Sequence, residues 1–168
     1  MGEWYQSELP QEEVNVMVNV DKILFPCDFT ECSSKVLPYV LSMAERYDSQ
    51  VYILYVDELH EWGGHFIPHQ SLTVLRDEAL KAAEKTMDKV CEEQLQSCPN
   101  FQRKIVSGDP AAEILKTIES EGIDMVVMGT HGRKGIEERI FGSIAENVVK
   151  KSPVPVLIVN PYKVKQTK

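Results

Sequence analysis

Five short apolar runs, separated by stretches with a helical pattern, restrict this chain to very few folds. The runs are rich in Val, Ile and Leu and scarcely alternate with polar residues, which is typical of strands buried on both faces. They are Lys22–Asp28, Val51–Val56, Arg103–Val106, Asp124–Gly129 and Val154–Val159. Between them, the spacing of apolar residues and the helix-capping residues predict the helices Ser34–Tyr47, Ser71–Gln96, Ala111–Ser120 and Ser143–Lys151.

Strands that alternate with helices form parallel βαβ units with right-handed crossovers. The sequence therefore predicts an α/β fold, with a doubly wound, five-stranded, mostly parallel sheet and helices on both faces, a three-layer sandwich. Ligands bind such sheets beyond the carboxyl ends of the strands, at the point where the strand order reverses. This rule makes the segments after Asp28, Val56, Val106 and Met128 the candidate ligand-binding segments.

Composition narrows the class of protein. The length of 168 residues fits one compact domain. The net charge of -8, from 18 basic and 26 acidic residues, disfavours sequence-independent binding to nucleic acid. No run of 18 apolar residues is present, so we expect no membrane span. The four cysteines form no C-x-x-C pair, and the N-terminus lacks a basic, apolar leader, so we expect a cytoplasmic protein with reduced thiols.

The charge distribution divides the chain into three parts. Residues 1–20 carry a charge of -4 and form an N-terminal arm. Within this arm, residues 13–20 alternate Val with Asn and Met, which indicates either an additional strand or a partly ordered arm. Residues 21–160 form the core domain. Residues 161–168 form a basic C-terminal tail with a charge of +3.

The densest chemical signal is a pair of glycine clusters. The first cluster, Met128–Gly135, begins at the end of the fourth predicted strand, and the second, Phe141–Ile144, opens the last helix, so the glycines are spaced as G-x2-G-x9-G-S. Glycine lets the main chain approach a ligand closely, and a helix N-terminus presents unpaired N–H groups with the positive end of the dipole. These features predict a phosphate site. Each also has a structural interpretation, with the glycines as turn residues and Ser143 with Glu146 as a capping box.

Residues 21–160 resemble the universal stress protein family. The resemblance rests on the segments ILFPCDFTECSSKVLPYVLSMAE, VYILYVDE, VSGDPAAEIL and IDMVVMGTHGRKGIEERIFGSIAENVVKKSPVPVLIV, which occur in the family's order. The last segment is the most specific, because it carries complete the G-x2-G-x9-G-S spacing of ATP-binding members. The resemblance implies a nucleotide-binding domain whose ligand is ATP, in a nucleotide-responsive regulatory or stress-protective factor.

The resemblance also implies which residues bind the ligand. The adenosine part is expected to lie against Pro26, Cys27, Asp28, Val56 and Met128, and the phosphates against Gly129, Gly132, Gly142, Ser143 and Ile144. Cys27 departs from the family, in which Thr or a small residue is usual. Asp28 has a second interpretation, since an acidic residue after a strand often accepts hydrogen bonds within a turn. A divalent cation, Mg²⁺ or Mn²⁺, would accompany ATP and be held mainly by its phosphates.

Other residues near the glycine clusters leave alternatives open. Arg133 is a candidate for charge pairing with phosphate, although long basic side chains in loops are usually solvated. Cys27 lies near a helix start, where a thiol of low pKa is one interpretation and an inert buried thiol the other. His60, His65 and His69 fall in a segment with Gly and Pro, which favours a solvated loop over a metal site.

Two other hypotheses about function compete with the hypothesis that the protein binds ATP without turning it over. A slow ATPase or phosphotransferase would use His131 or Ser143 in the chemistry, but the chain has no P-loop and no nucleophile elbow. A ligand-free interaction module of the same fold would not explain why the glycine spacing is complete. The last apolar strand, Val154–Val159, is expected at a sheet edge, and the resemblance implies homodimers that pair through it.

Overall fold

A computed structural model describes residues 19–58, 69–94, 100–130 and 142–164, with the side chains of helix residues 69–76 and of Gln94 excepted. Strands and helices alternate along these residues. The strands are β1 (Lys22–Pro26), β2 (Gln50–Asp57), β3 (Phe101–Ser107), β4 (Met125–Gly129) and β5 (Val156–Val159). The helices are α1 (Glu31–Tyr47), α2 (His69–Gln94), α3 (Pro110–Glu121) and α4 (Ser143–Lys151).

The five strands form one sheet with the order β3-β2-β1-β4-β5, and every neighbouring pair is parallel. The predicted doubly wound α/β fold is confirmed. Successive strands move outward from β1 to β3, and the chain then returns to the other side of β1 for β4 and β5. The strand order therefore reverses between β1 and β4, which makes the carboxyl ends of these two strands the topological switch point.

Alternate side chains of the central strands enter two separate apolar layers, as the period of a β-strand requires. One layer packs α1 and α2 on the sheet and includes Phe25, Cys27 and Tyr55. The other packs α3 and α4 on the opposite face and includes Leu24, Leu54 and Met128. The sheet is covered by helices on both faces, which explains the nearly continuous apolar runs in the sequence.

The caps of α3 agree with the sequence signals. Asp109 is the N-cap residue, and its carboxylate accepts a hydrogen bond of 2.8 Å from the backbone N–H of Ala112. Pro110 occupies the first helical position. At the other end, Gly122 adopts a left-handed backbone with φ of 63°, which glycine reaches without the steric cost that a Cβ imposes.

Several boundaries differ from those predicted. Helix α1 begins at Glu31, not Ser34, because Thr30 already takes the extended backbone of an N-cap residue. His69, predicted to lie in a loop, is the first residue of α2, so this prediction was wrong. Of the N-terminal arm, the structure describes only Asn19 and Val20, which form no strand. Val20 is buried, and its carbonyl accepts a hydrogen bond from the Ser49 hydroxyl.

Within the part of the chain that the structure describes, no helix is both long and apolar enough to cross a membrane.

Candidate functional site

The switch point brings three segments of the chain to one edge of the sheet. Strand β1 ends at Pro26, β4 ends at Gly129, and α4 begins beside them at Ser143. Backbone hydrogen bonds hold the last two segments together. The N–H of Thr130 donates to the carbonyl oxygen of Val159 at 2.9 Å, and the carbonyl oxygen of Thr130 accepts from the N–H of Gly142 at 2.8 Å. Thr130 and Gly142 therefore lie at the same point of the sheet edge.

Thr130 was not singled out by the sequence analysis. It is 4% exposed and lies directly after β4. Its role depends on its backbone groups, which bond to β5 on one side and to the start of α4 on the other. Backbone bonding of this kind leaves no signature in residue type, so the sequence carried no signal for it.

The start of α4 differs from the predicted capping box. The N-cap residue is Gly142, with φ of -73° and ψ of 154°, and no side chain caps the helix. Ser143 is therefore the first helical residue and not the cap. The Glu146 carboxylate, expected to fold back on the cap, is hydrogen-bonded to the Lys150 ammonium group at 2.6 Å, and this bond lowers the pKa of the Glu146 carboxyl. The capping-box interpretation of Ser143 was wrong.

The N–H groups of the first turn of α4 are the donors that the site offers to an anion. The N–H of Gly142 is occupied by Thr130, and its carbonyl oxygen accepts from the N–H of Glu146 at 3.0 Å. The N–H groups of Ser143 and Ile144 belong to the first turn, where a helix provides no carbonyl partners of its own. The Ser143 side chain is exposed beside them. This cluster of donors, together with the helix dipole, fits the phosphate of a ligand.

An apolar wall lies next to this helix start. Met128, Val56 and Ile144 come from β4, β2 and α4, and all three pack in the layer between the sheet and α3 and α4. Met128 is 5% exposed, whereas Val56 and Ile144 are partly buried. Apolar side chains of this kind are suited to the flat face of an aromatic ring. Two of the predicted adenosine contacts, Val56 and Met128, therefore share one face of the sheet.

Asp28 is the centre of a tight turn that follows β1. Its Oδ1 atom accepts from the N–H of Thr30 at 3.1 Å, from the Thr30 hydroxyl at 2.6 Å and from the Ser33 hydroxyl at 2.5 Å. The N–H of Asp28 donates in turn to the Ser33 hydroxyl at 3.2 Å. The turn interpretation of Asp28 is therefore correct, and the carboxylate joins β1 to the first turn of α1.

Cys27 lies on the opposite face of the sheet from Val56 and Met128. Its side chain is 7% exposed and packs in the layer under α1 and α2. Burial raises the pKa of the thiol from 9.0 to about 11, against the smaller lowering effect of the nearby Phe29 backbone and Ser33 side chain. The thiol is thus protonated at neutral pH, and the interpretation of Cys27 as a thiol of low pKa was wrong.

Several predicted residues lie outside the described residues. They include Gly132 and Arg133 of the glycine clusters, with His131, and also His60, His65 and Cys98. The cysteines that are described, Cys27, Cys32 and Cys91, are free thiols. No group of three or more His, Cys, Asp or Glu side chains in the described ranges has a geometry that could hold a metal ion.

A separate groove of about 400 Å³ lies between α2 and the edge strand β3. Met87 and Ile105 form its apolar part, and Glu84, Asp88 and Arg103 form its charged part. Asp88 and Arg103 pair with each other. The groove is two strands away from the switch point, so it is not part of the candidate site.

Comparison with known proteins identifies the family. The sequence profile of the universal stress protein family matches residues 19–160. The chain belongs to the universal stress protein family. The universal stress protein MJ0577 of Methanocaldococcus jannaschii is 32% identical over 151 residues, which cover 82% of this chain and 93% of that protein. The solved structure of MJ0577 superposes with a TM-score of 0.75 at 30% identity and covers 89% of this chain and all of its own.

Two more distant structures with this fold contain nucleotides. A universal stress protein in complex with cAMP is 20% identical to this chain, has a TM-score of 0.54, and covers 85% of this chain and 98% of its own. The universal stress protein of Archaeoglobus fulgidus in complex with dAMP is 17% identical, has a TM-score of 0.61, and covers 86% of this chain and 100% of its own. At this level of identity the likeness concerns the fold of the universal stress protein domain.

Proposed function

We propose that this universal stress protein binds ATP at the switch point between β1 and β4. Nucleotide binding shifts a conformational equilibrium that a protein partner reads, so that the protein acts as a regulatory or stress-protective factor in the cytoplasm. The observation that supports the proposal is the start of α4, whose first-turn N–H groups belong to the same edge of the sheet as the ends of β2 and β4, where Val56 and Met128 lie. Donors for phosphate and an apolar surface for a base are thus available at one edge.

The phosphates would accept hydrogen bonds from the first turn of α4 and from the Ser143 hydroxyl. The absence of a side chain at Gly142 leaves room for phosphate oxygens to approach the main chain. Gly129, at the end of β4, would offer the same access, and Gly132 and Arg133 complete the proposed phosphate site. A bound Mg²⁺ or Mn²⁺ would neutralise phosphate charge while the phosphates supply most of its ligands.

The adenosine part would lie against Val56 and Met128, with the turn Pro26–Asp28 at its edge. Because the Cys27 side chain belongs to the other face of the sheet, its contribution would come from backbone atoms. The Oδ1 atom of Asp28 already accepts three hydrogen bonds, so a role for Asp28 in binding would combine with its role in the turn. The cAMP and dAMP complexes of proteins with this fold support a nucleotide as the ligand class.

We also propose a homodimer that pairs through β5. Strand β5 lies at an edge of the sheet, and its neighbour β4 bonds to the carbonyl oxygens of Pro155 and Val159. Since backbone groups alternate in direction along a strand, those of Val156 and Ile158 point away from β4. No strand of the described residues pairs with this side of β5, and the donors and acceptors of such an edge favour pairing with a second copy of the chain.

The experiment that tests ATP binding has two parts. Mass spectrometry of the supernatant from purified, denatured protein identifies any nucleotide that was carried through purification. Isothermal titration of nucleotide-free protein with ATP and Mg²⁺ then gives the affinity, and GTP serves as the comparison ligand. We expect ATP to bind more tightly than GTP. If the folded protein binds neither nucleotide at millimolar concentration, the ligand-free interaction module replaces this proposal.

A further inference from the structure

Phe29 has a backbone conformation that its side chain disfavours. Its φ is 61°, in the left-handed region where residues other than Gly, Asn and Asp are rare. Phe29 directly follows Asp28 in the turn between β1 and α1. A bulky residue remains in this conformation only where its surroundings stabilise it, and such residues are concentrated at ligand-binding and catalytic sites.

An aromatic contact of Phe29 stabilises the turn. Its ring stacks on the ring of Tyr55, with centroids 4.7 Å apart and an angle of 20° between the planes. Tyr55 belongs to β2 and is 7% exposed, so it offers a rigid surface to the Phe29 ring. The stack therefore ties the turn after β1 to the neighbouring strand.

The stacked rings and the proposed nucleoside surface belong to opposite faces of the sheet. Tyr55 and Phe29 pack in the layer under α1 and α2, whereas Val56, the next residue of β2, packs in the layer under α3 and α4. The rings are thus behind the sheet as seen from the proposed ligand. Their influence on a nucleoside would pass through the main chain of the turn and through the position of Asp28.

We infer that Phe29 and Tyr55 are positioning residues for nucleoside recognition. The inference rests on the proposed nucleotide site and adds to it a residue pair that determines the shape of its adenosine side. The ring stack holds the left-handed backbone of Phe29, and this backbone orients Asp28, whose carboxylate is then fixed by Thr30 and Ser33. The hydrogen bonds at Asp28 hold one side of the turn, and the ring stack opposes the steric cost of the left-handed backbone at Phe29.

The test compares a ligand that has a nucleoside with one that lacks it. Tripolyphosphate has the charged groups of ATP but no adenosine, so it reports on the start of α4 and not on the turn. The variants are Phe29→Leu, Tyr55→Leu and the double variant, with Tyr55→Phe as the control that keeps the ring. Phe29→Gly is added because glycine accepts a φ of 61° without strain and so preserves folding while it removes the ring.

We expect each Leu variant to raise the Kd for ATP by about 3- to 10-fold. This range is the interaction energy of one aromatic pair converted to a ratio of dissociation constants. The Kd for tripolyphosphate, measured by competition, should change by less than about 2-fold. The double variant should bind ATP no more weakly than the weaker single variant, because both lose the same contact. Phe29→Gly should lose ATP affinity in the same way, and Tyr55→Phe should bind like the parent.

The possible failures have different meanings. If the parent binds neither ATP nor tripolyphosphate, the proposed function is wrong, and this inference is wrong with it. If the parent binds ATP and folded Phe29→Gly and Tyr55→Leu proteins bind it equally well, the ring pair does not position the site. If the variants lose affinity for ATP and for tripolyphosphate by the same factor, the pair has only a general structural role, and the inference is also overturned.

Discussion

The backbone N–H of Gly142 donates a hydrogen bond of 2.8 Å to the carbonyl oxygen of Thr130. This bond joins the residue after β4 to the N-cap residue of α4. It also consumes one of the N–H groups that glycine spacing alone would assign to a phosphate. Among the described residues, the first-turn N–H groups without a backbone partner therefore begin one residue later, at Ser143, and this shift determines which substitutions test the site.

Ser143→Pro should remove a phosphate donor without disturbing the helix. Proline is well tolerated at the first helical position, and the residue before it must be extended, as Gly142 already is with ψ of 154°. We expect the Kd for ATP to rise by about 10-fold or more, since a hydrogen bond to a charged group contributes about 1.5–3 kcal/mol. Ser143→Ala is the matched control, because it loses the hydroxyl and keeps the N–H. Affinities for ATP are measured by titration calorimetry. Equal affinities of the parent, Ser143→Pro and Ser143→Ala would exclude the N–H of residue 143 as a phosphate donor.

Gly142→Val should separate ligand binding from stability. The φ of -73° suits any residue, so valine requires no strained backbone, and only the loss of a favourable N-cap residue should lower the free energy of unfolding, by about 1 kcal/mol. The two methyl groups would occupy the space proposed for phosphate oxygens, so ATP binding should be nearly abolished. Gly122→Val is the opposite control, since φ is 63° there and the expected result is a destabilisation above about 1 kcal/mol with unchanged ATP affinity. Chemical denaturation and calorimetry measure both quantities.

Asp28→Ala should destabilise the turn more than Asp28→Asn does. The alanine variant loses an acceptor of three hydrogen bonds, and we expect a cost of about 1–3 kcal/mol in the free energy of unfolding. Asparagine keeps a side-chain oxygen for the N–H of Thr30 and should recover part of this loss. Urea denaturation of the three proteins checks the order. Equal stability of the Ala and Asn variants would contradict the turn contacts.

The Cys27 thiol should make the protein less stable at high pH. Its pKa in the folded protein is about 11, above the ordinary value of 9.0. Between these values the unfolded chain releases the proton and the folded protein retains it, so stability falls as the pH rises above 9. The loss should be on the order of 2 kcal/mol. The measurement is the change in the free energy of unfolding between pH 8 and pH 10.5, in the parent protein and in Cys27→Ala. The difference between the two proteins isolates the thiol, since the other titrating groups contribute equally to both proteins.

Ile158→Pro should convert the proposed dimer to a monomer. The Ile158 N–H points to the free edge of β5, and proline removes it while the bonds between β4 and β5 remain. Leu157→Pro is the control, because the backbone N–H of residue 157 points to β4. Its removal should disrupt the pairing of β5 with the sheet. Analytical ultracentrifugation at tens of micromolar measures the state of association. A parent protein that is monomeric with and without ATP would exclude pairing through this strand.

Much of the fold could be predicted because the relevant signals are local. The apolar runs, the helical spacing and the Asp109-Pro110 start of α3 each depend on neighbouring residues, and strands alternating with helices allow few arrangements. The turn at Asp28 was predictable for the same reason, since its carboxylate accepts hydrogen bonds from Thr30 and Ser33, which are two and five residues away. The candidate site followed from glycine spacing and from the family resemblance.

The sequence by itself determined the strands, the helices and the parallel α/β class, because side-chain periodicity and capping act within a few residues. The tertiary structure decided the rest. The order of strands sets the switch point, the bond to Thr130 makes Gly142 the cap in place of Ser143, and the backbone after β1 places Cys27 on the opposite face from Val56. The left-handed backbone of Phe29 depends on Tyr55, which is 26 positions away in the sequence. Contacts between distant residues leave no local pattern, because each partner alone is compatible with many environments.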